Sequence, residues 1–519
     1  MNKILEKIHF NANNYPDRIA YSARISDGVS DSILKLTWHE LESKSNFIAN
    51  FLNNSFPNKK PVIVYGHKDP KMIIIFLACA KSGRAYVPVD SSFPLGRIND
   101  IIDAVRPELI FSTVQFPIFD RTYKVFESQD VDKLFVGNSD IDPSKFVDGN
   151  DVFYIIFTSG STGLPKGVQI TADCLSKFVE WAMTLDNNYL ADNNAHIFIN
   201  QAPFSFDLSV FDLYLSLFSC GTEYAIPKNM LNDMNKMYEY LAESDADVWV
   251  STPSFAEMSL ADDKFNEHLM PNLRLFLFCG ETLTNQTVQK LFQAFPKAHI
   301  INTYGPTEST VAMTSVLITK ELCENYNPLP IGIPKKGTYV FIMDEDGNVL
   351  PDGEKGEIVI VGDTVSIGYW NNEKKNEEVF GKKVINGIQY RLYHTHDKGF
   401  YDNGMLFYCG RIDLQIKLHG YRIEIEDIEN NILTIDNIER VVVLPEYVDG
   451  EVKTLAAYIV LSEKTRSNLQ ERKRIREELK KKIPEYMIPK KFIFKDNLPV
   501  TSNGKVDRKQ LENMSNAKD

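Results

Sequence analysis

The sequence has no long apolar run. Its longest, Met72 to Ala80, falls far short of the roughly 20 residues a membrane-crossing helix needs, so no membrane insertion is expected. The opening stretch, MNKILEKIHFNANNYPDRIAY, lacks both the apolar core and the small-residue cleavage site of a secretory signal. Cysteine is scarce, with 6 in 519 residues and no C-x-x-C pair. That excludes a disulfide framework or a zinc knuckle and suits a reducing, cytoplasmic setting. Positive charge is also short. Lys and Arg number 57 against 70 Asp and Glu, a net charge of −13, so no nucleic-acid partner is expected. Internal repeats and low-complexity linkers are missing too, which excludes a solenoid or a tethered array.

What is present is ordinary for a large globular chain: 43% hydrophobic and 24% charged residues. At about 100–200 residues per domain, the length implies two or more. Short β-rich runs alternate with helical patterns. Pro61 to Tyr65, Ala85 to Val89, Glu108 to Thr113, Val152 to Phe157, Val248 to Ser251, Leu273 to Phe278 and His299 to Tyr304 read as buried strands. Lys71 to Lys81 reads as a helix ending at Gly83. This rhythm predicts an α/β fold of helix-covered sheets. Asn325 to Ile367, rich in Gly and Pro, predicts a distorted β-barrel or small sheet. Further on, Val441 to Pro445 and Leu455 to Leu461 read as strands. Leu469 to Ile483 reads as a basic amphipathic helix, with Ile475, Leu479 and Ile483 on one face. The expected organisation is a large N-terminal domain, 1–412, and a small mobile α+β domain, 413–519, joined by a short hinge at Arg411-Ile-Asp413.

The most informative segment is Tyr154-Ile-Ile-Phe-Thr-Ser-Gly-Ser-Thr-Gly-Leu-Pro-Lys-Gly167. A strand runs into a loop of glycines, hydroxyls and one lysine, which together offer N–H groups, O–H groups and a cation to a polyphosphate. It is not the G-x-x-x-x-G-K-[ST] phosphate loop, because Lys166 is followed by Gly167. A surface turn would not need hydroxyls, glycines and lysine together directly after a buried strand. Thr158-Ser-Gly-Ser-Thr-Gly-Leu-Pro-Lys-Gly167 resembles the phosphate-loop signature of the adenylate-forming enzymes: acyl-CoA synthetases, nonribosomal peptide adenylation domains and luciferases. Other segments are similar to that superfamily's motifs, in order. They are Leu36-Thr-Trp-His-Glu-Leu41, Lys81-Ser-Gly-Arg-Ala-Tyr-Val-Pro-Val-Asp90, Asn302-Thr-Tyr-Gly-Pro-Thr-Glu308, Gly356-Glu-Ile-Val-Ile-Val-Gly362 with Gly368-Tyr-Trp370, Gly410-Arg-Ile-Asp-Leu-Gln-Ile-Lys-Leu-His-Gly-Tyr-Arg-Ile-Glu424 and Pro499-Val-Thr-Ser-Asn-Gly-Lys-Val-Asp-Arg508. The resemblance spans nearly the whole chain.

The resemblance implies an enzyme that couples a carboxylic acid to ATP and then passes the acyl group to a thiol. Positioning and charge neutralisation would supply most of the catalysis. It implies phosphate contacts from Thr158, Ser159, Gly160, Ser161, Thr162, Gly163 and Lys166. Around the nucleotide it implies Gly280, Glu281, Asn302, Thr303, Tyr304, Gly305, Pro306, Thr307, Tyr408 and Arg411. Glu308 would hold Mg²⁺, which favours one or two carboxylates plus phosphate oxygens. Asp397 would bind the ribose. Its segment reads Tyr393-His-Thr-His-Asp397, with His394 and His396 where Arg and Gly are usual, and Gly accepts backbone angles that His rarely adopts. Two histidines at this spacing without a third ligand do not make a metal site. Asp413 would be the hinge, and Lys505 the catalytic ammonium beside the substrate carboxylate and α-phosphate, delivered by a lid movement.

Pro203-Phe-Ser-Phe-Asp-Leu-Ser-Val210 resembles the acid-binding motif, with Asp207 where amino-acid-activating members pair an aspartate with the substrate ammonium. A buried carboxylate needs such a partner, and a fatty acid offers none. Phe276-Leu-Phe-Cys-Gly-Glu-Thr282, Asn200-Gln-Ala-Pro-Phe-Ser-Phe-Asp-Leu-Ser-Val210 and Ser251-Thr-Pro-Ser-Phe-Ala-Glu-Met258 look most like the subgroup that activates D-alanine for a carrier protein in teichoic acid biosynthesis. Cys279, with Phe206 and Val311, would then wall a small pocket, although a buried cysteine is also a common core residue. No Gly-x-Asp-Ser pantetheine site follows Lys505, so a phosphopantetheinylated carrier protein is expected in trans and the enzyme as a monomer. The alternatives are a natural-product adenylating enzyme for another small amino acid, an acyl- or aryl-CoA ligase, or a non-catalytic nucleotide-binding scaffold. The Arg472-Lys-Arg474 and Lys480-Lys-Lys482 clusters are either a solvated helix face or a contact for an acidic carrier.

Overall fold

A computed structural model describes residues 2–26, 31–118, 122–137, 139–160, 164–191, 194–228, 230, 233–448, 451–463, 468–499, 508, 510 and 511. The chain divides into two compact units. The first comprises Met1–Ser91, Val105–Ile156 and Gly167–Ile412; the second comprises Ser92–Ala104, Phe157–Lys166 and Asp413–Asp519.

The first unit is built on strands that read as apolar on both faces. Val62–Gly66, Tyr86–Asp90 and Leu109–Ser112 are buried along their whole length and pair in parallel, as strands covered by helices on both sides do. They form a six-stranded sheet with Lys124–Phe126, Val152–Thr158 and Lys166–Thr171. The expected helix is Pro70–Lys81, opened by Asp69, whose carboxylate accepts the Lys71 N–H at 2.8 Å, and by proline in the first turn.

A nine-stranded sheet carries much of the chemistry. Its strands run in the order Ile333–Pro334, Thr314–Leu317, His299–Tyr304, Leu275–Phe278, Val248–Ser251, Ile197–Asn200, Thr222–Ala225, Ile19–Ser26, Asp31–Thr37. The strands from His299–Tyr304 to Ile19–Ser26 are parallel. Their carboxyl ends therefore share one edge, where open α/β sheets place ligands.

Where a distorted barrel or small sheet was expected, the described residues form an open antiparallel sheet. It contains Thr338–Met343, Gly356–Gly362, Phe380–Ile385, Ile388–Asp402 and Met405–Arg411, and no closed barrel is present among the described residues. Closure requires the end strands to pair, which a Gly- and Pro-rich composition does not specify.

In the second unit, Ile438–Val448 and Glu451–Leu461 pair antiparallel, and Lys491–Phe494 joins in parallel. Helices Ile425–Leu433 and Asn468–Lys480 bring apolar faces to this sheet. Ile475, Leu479 and Ile483 are buried with Ile428, Val443 and Ile459, as the helical spacing predicts. No described helix is long and apolar enough to cross a membrane.

Candidate active site

In the first unit, Asp397 is the centre of a buried cluster. Its Oδ1 accepts from Arg411 Nη1 at 2.6 Å and its Oδ2 from the Tyr304 hydroxyl at 2.5 Å. Asp397 sits on Ile388–Asp402, Arg411 on Met405–Arg411 and Tyr304 at the end of His299–Tyr304. The Tyr304 and Tyr408 rings lie 6.2 Å apart, tilted by 37°. Burial, and then the Asp397 charge, push the Tyr304 hydroxyl well above its ordinary range, so it is a neutral donor.

His396 meets the demand of its glycine-like position directly. It adopts φ +57°, the left-handed region, and its N–H bonds Glu357 Oε1 at 2.9 Å. His394 Nδ1 lies 3.0 Å from Glu357 Oε2, and this hydrogen bond raises its pKa. Burial opposes ionisation of Glu357, but these hydrogen bonds prevail and lower its pKa. The two histidines thus share a carboxylate. No group of three metal-ligating side chains occurs among the described residues.

Beyond Tyr304 the chain turns at Gly305, where a Cβ would stand 2.6 Å from Ala312 Cα and 2.9 Å from Val311 O, so only glycine fits. Pro306 and the buried Thr307 lead to Glu308, which is fully buried and accepts the Tyr369 hydroxyl at 2.7 Å. Thr310 and Val311 both take positive φ, 63° and 67°, which is uncommon for β-branched residues. That path turns the Val311 carbonyl to Cys279, 3.5 Å from its sulfur. Gly280, at φ +97°, leaves room that a Cβ would lose to Thr252 Cγ2 at 3.4 Å and Phe206 Cζ at 3.8 Å. Phe206, Cys279, Gly280 and Val311 are therefore brought together, with Asp207 buried at the start of helix Leu208–Ser219.

Several expected nucleotide contacts have structural partners. The Asn302 amide nitrogen donates to Pro330 O at 2.9 Å, Thr303 Oγ1 to Phe278 O at 2.8 Å, and Glu281 Oε2 accepts Ser254 N–H at 3.1 Å.

In the second unit, Ser159 Oγ donates to Arg422 O at 2.7 Å and Lys166 Nζ lies 3.0 Å from Glu424 Oε1. Thr158 Oγ1 reaches Lys166 O at 3.5 Å, and a Cβ on Gly160 would collide with Leu164 O at 2.1 Å. Asp413 Oδ1 accepts Gln415 N–H at 3.1 Å. Ser161, Thr162, Gly163 and Lys505 lie outside the described residues.

Residues 8–370 match AMP-binding enzyme, and residues 427–505 match AMP-binding enzyme C-terminal domain. The chain belongs to the AMP-binding enzyme family. Over 514 residues it is 43% identical to the D-alanine--D-alanyl carrier protein ligase of Bacillus mycoides (strain KBAB4), covering 98% of this chain and 99% of that protein. Its fold is shared with an NRPS protein containing adenylation and PCP domains, bound to a vinylsulfonamide inhibitor, at a TM-score of 0.82 and 23% identity, covering 98% of this chain and 84% of that one. It is shared equally with the Vibrio cholerae adenylation domain AlmE in complex with glycyl-adenosine-5'-phosphate, at 0.81 and 21%, covering 99% and 98%.

Two residues of this AMP-binding enzyme escaped sequence reasoning. Tyr369 stands in a recognised motif, but nothing in its spacing pairs it with a carboxylate 61 positions away. Lys68, beside a helix cap, reads as an exposed lysine and is only 3% exposed.

Proposed function

We infer that the chain activates D-alanine with ATP and loads it on a separate carrier protein. A D-alanine carboxylate oxygen attacks the α-phosphorus, the α–β phosphoanhydride breaks, and D-alanyl-adenylate and pyrophosphate form. The carrier's phosphopantetheine thiol, losing its proton to solvent, then attacks the acyl carbon and AMP leaves. One observation carries this reading: 43% identity over 98% of the chain with a D-alanine--D-alanyl carrier protein ligase. Cys279, Val311, Phe206 and Gly280 stand together, Cys279 Sγ 3.5 Å from Val311 O, and on this reading they wall the site of a small side chain. Other small amino acids, and acyl- or aryl-CoA chemistry, are the competing outcomes.

Asp207 pairs with the substrate ammonium. Asp397, already holding a phenol and a guanidinium, takes the ribose hydroxyls as further donors. The 158–166 loop meets the phosphates, with Lys166 exchanging Glu424 for a phosphate oxygen. Glu308, a buried carboxylate that accepts the Tyr369 hydroxyl, is a donor of the hard-oxygen type that Mg²⁺ prefers. When bound, Mg²⁺ would neutralise phosphate charge. Lys505 supplies the ammonium that balances negative charge at the reacting carboxylate and α-phosphate. Residues 413–519 turn about Asp413 between the two half-reactions. The enzyme works as a monomer in the cytoplasm, where its six free thiols persist.

Incubation with ATP, D-alanine and a phosphopantetheinylated carrier protein should give a hydroxylamine-sensitive mass gain of one alanyl group on the carrier. Loading of coenzyme A with an acyl or aryl acid instead would overturn the proposal. Lys505→Ala should abolish adenylate formation while preserving the circular dichroism spectrum.

A further inference from the structure

Lys68 follows the strand Val62–Gly66 in a left-handed conformation, φ +52°. Its ammonium donates to three main-chain carbonyls: Asn200 at 3.0 Å, Gln201 at 2.6 Å and Ile226 at 2.9 Å. All three of its protons are thereby used. The Asn200 carbonyl ends the strand Ile197–Asn200 and also takes the Ile226 N–H at 3.0 Å, whereas the Gln201 and Ile226 carbonyls lie just past the strands Ile197–Asn200 and Thr222–Ala225. The Lys68 carbonyl itself accepts the Tyr21 hydroxyl at 2.9 Å. A strained backbone, a buried cation and a fourth element's hydroxyl all serve one placement.

The surroundings are built to keep this cation. Asp212 and Glu223 are fully buried nearby. Asn200 Nδ2 donates to both Asp212 oxygens at 3.1 Å, and Ser216 Oγ to Glu223 Oε2 at 3.0 Å. Burial raises both carboxyls, and the Asp212 charge raises Glu223 further. The Lys68 ammonium thus faces two buried acids, each hydrogen-bonded to a neighbouring side chain. Burial draws Lys68 down to about 8, with both acids resisting the shift.

The loop leaving this network is 201–207, the segment that ends in Phe206 and Asp207. Lys68 holds its first carbonyl. Asn200 Nδ2 holds Ala202 O at 3.3 Å. Phe204 packs on Phe76 and Tyr21, with ring centroids 5.4 and 6.5 Å away. Ser209 Oγ donates to Phe206 O at 2.7 Å. We propose that Lys68 is a positioning residue for the amino-acid site: by fixing the entry of loop 201–207, it presents Phe206 and Asp207 to the substrate. This rests on the assignment of those two residues to the amino acid made above.

The test uses the full chain carrying Lys68→Met, whose side chain is unbranched and one atom shorter and lacks the three donors. In amino-acid-dependent ATP–pyrophosphate exchange, the KM for D-alanine should rise about tenfold or more, since small misplacements are costly in rate and binding. The KM for ATP should stay within about twofold of the original. A purely structural lysine would lower the melting temperature and leave both KM values alone, and that result, or an equal rise in both, overturns the proposal. The double variant Lys68→Met/Asp212→Asn leaves no uncompensated buried charge, so it guards against misfolding. It should show the same selective rise, and normal D-alanine KM in the folded double variant overturns the proposal equally. Asp207→Asn run in parallel separates the two claims. An unchanged D-alanine KM there, with the Lys68 effect intact, would fault the assignment of Asp207 and not the role of Lys68.

Discussion

Two buried lysines of the first unit are held in opposite ways. Lys81 gives its ammonium to side chains only: Glu42 Oε2 at 2.7 Å, Ser45 Oγ at 2.8 Å and Asn46 Oδ1 at 2.7 Å. All three stand on one helix, Trp38–Ser55, so the contact clamps it to the helix Pro70–Lys81 that ends in the lysine. Lys68 gives its ammonium to backbone only, at the exit of two strands. Side-chain acceptors fix how elements pack. Main-chain acceptors fix where a loop goes. The same ammonium is a structural bolt in one place and an anchor for the entry of loop 201–207 in the other.

The largest effect is expected at the clamp. Lys81→Met strands the Glu42 carboxylate and should cost about 3–5 kcal/mol in urea unfolding, as breaking a buried ion pair does. Both KM values should survive in the folded fraction, and a selective change in the D-alanine KM would erase the contrast. The pair also sets an acid limit. Burial would raise the Glu42 carboxyl, but Lys81 and then His9 outweigh it and hold it at about 2, below its ordinary 4.5. A depressed carboxyl contributes stability that is complete above pH 4.5 and is lost as pH falls toward 2. In Lys81→Met that acid-side loss should disappear from a pH series of urea midpoints. Persistence of the full loss would mean that other carboxylates cause it.

Lys68→Met should cost less, about 1–3 kcal/mol for the Gln201 and Ile226 carbonyls losing their donor, while shifting substrate binding more. Stability loss equal to that of Lys81→Met, with unaltered kinetics, would place both lysines in one class. Tyr369→Phe removes only the hydroxyl on Glu308. It should lower stability by about 1 kcal/mol and raise the Mg²⁺ concentration for half-maximal exchange about tenfold. An unchanged Mg²⁺ titration would detach Tyr369 from the metal. The smallest change is expected at His396→Gly. Relief of the left-handed histidine and added freedom in the unfolded chain oppose each other, so unfolding should move by less than about 1 kcal/mol.

Much of the fold was legible because buried parallel strands are apolar on both faces. Val248–Ser251 and His299–Tyr304 fall where the sequence places them. Between a barrel and a small sheet the sequence of 325–367 did not decide, since closure depends on pairing between strands far apart in sequence, and the described residues form the open sheet. At the candidate site, motif order brought out Asp397, Tyr304 and Arg411, and the structure gathers them. Lys68 and Tyr369 stayed hidden because their importance lies in partners 132 and 61 positions away. Asn302 and Glu281, expected around the nucleotide, also hold backbone groups of Pro330 and Ser254. Residue type alone does not distinguish those uses.

We propose that Phe206, Cys279, Gly280 and Val311, with Asp207, select D-alanine for adenylation. Amino-acid-dependent ATP–pyrophosphate exchange, run with D-alanine, L-alanine, glycine and a set of large and aromatic amino acids, tests it most directly. Exchange with D-alanine should far exceed every other, and preference for L-alanine or for a large side chain would contradict the account.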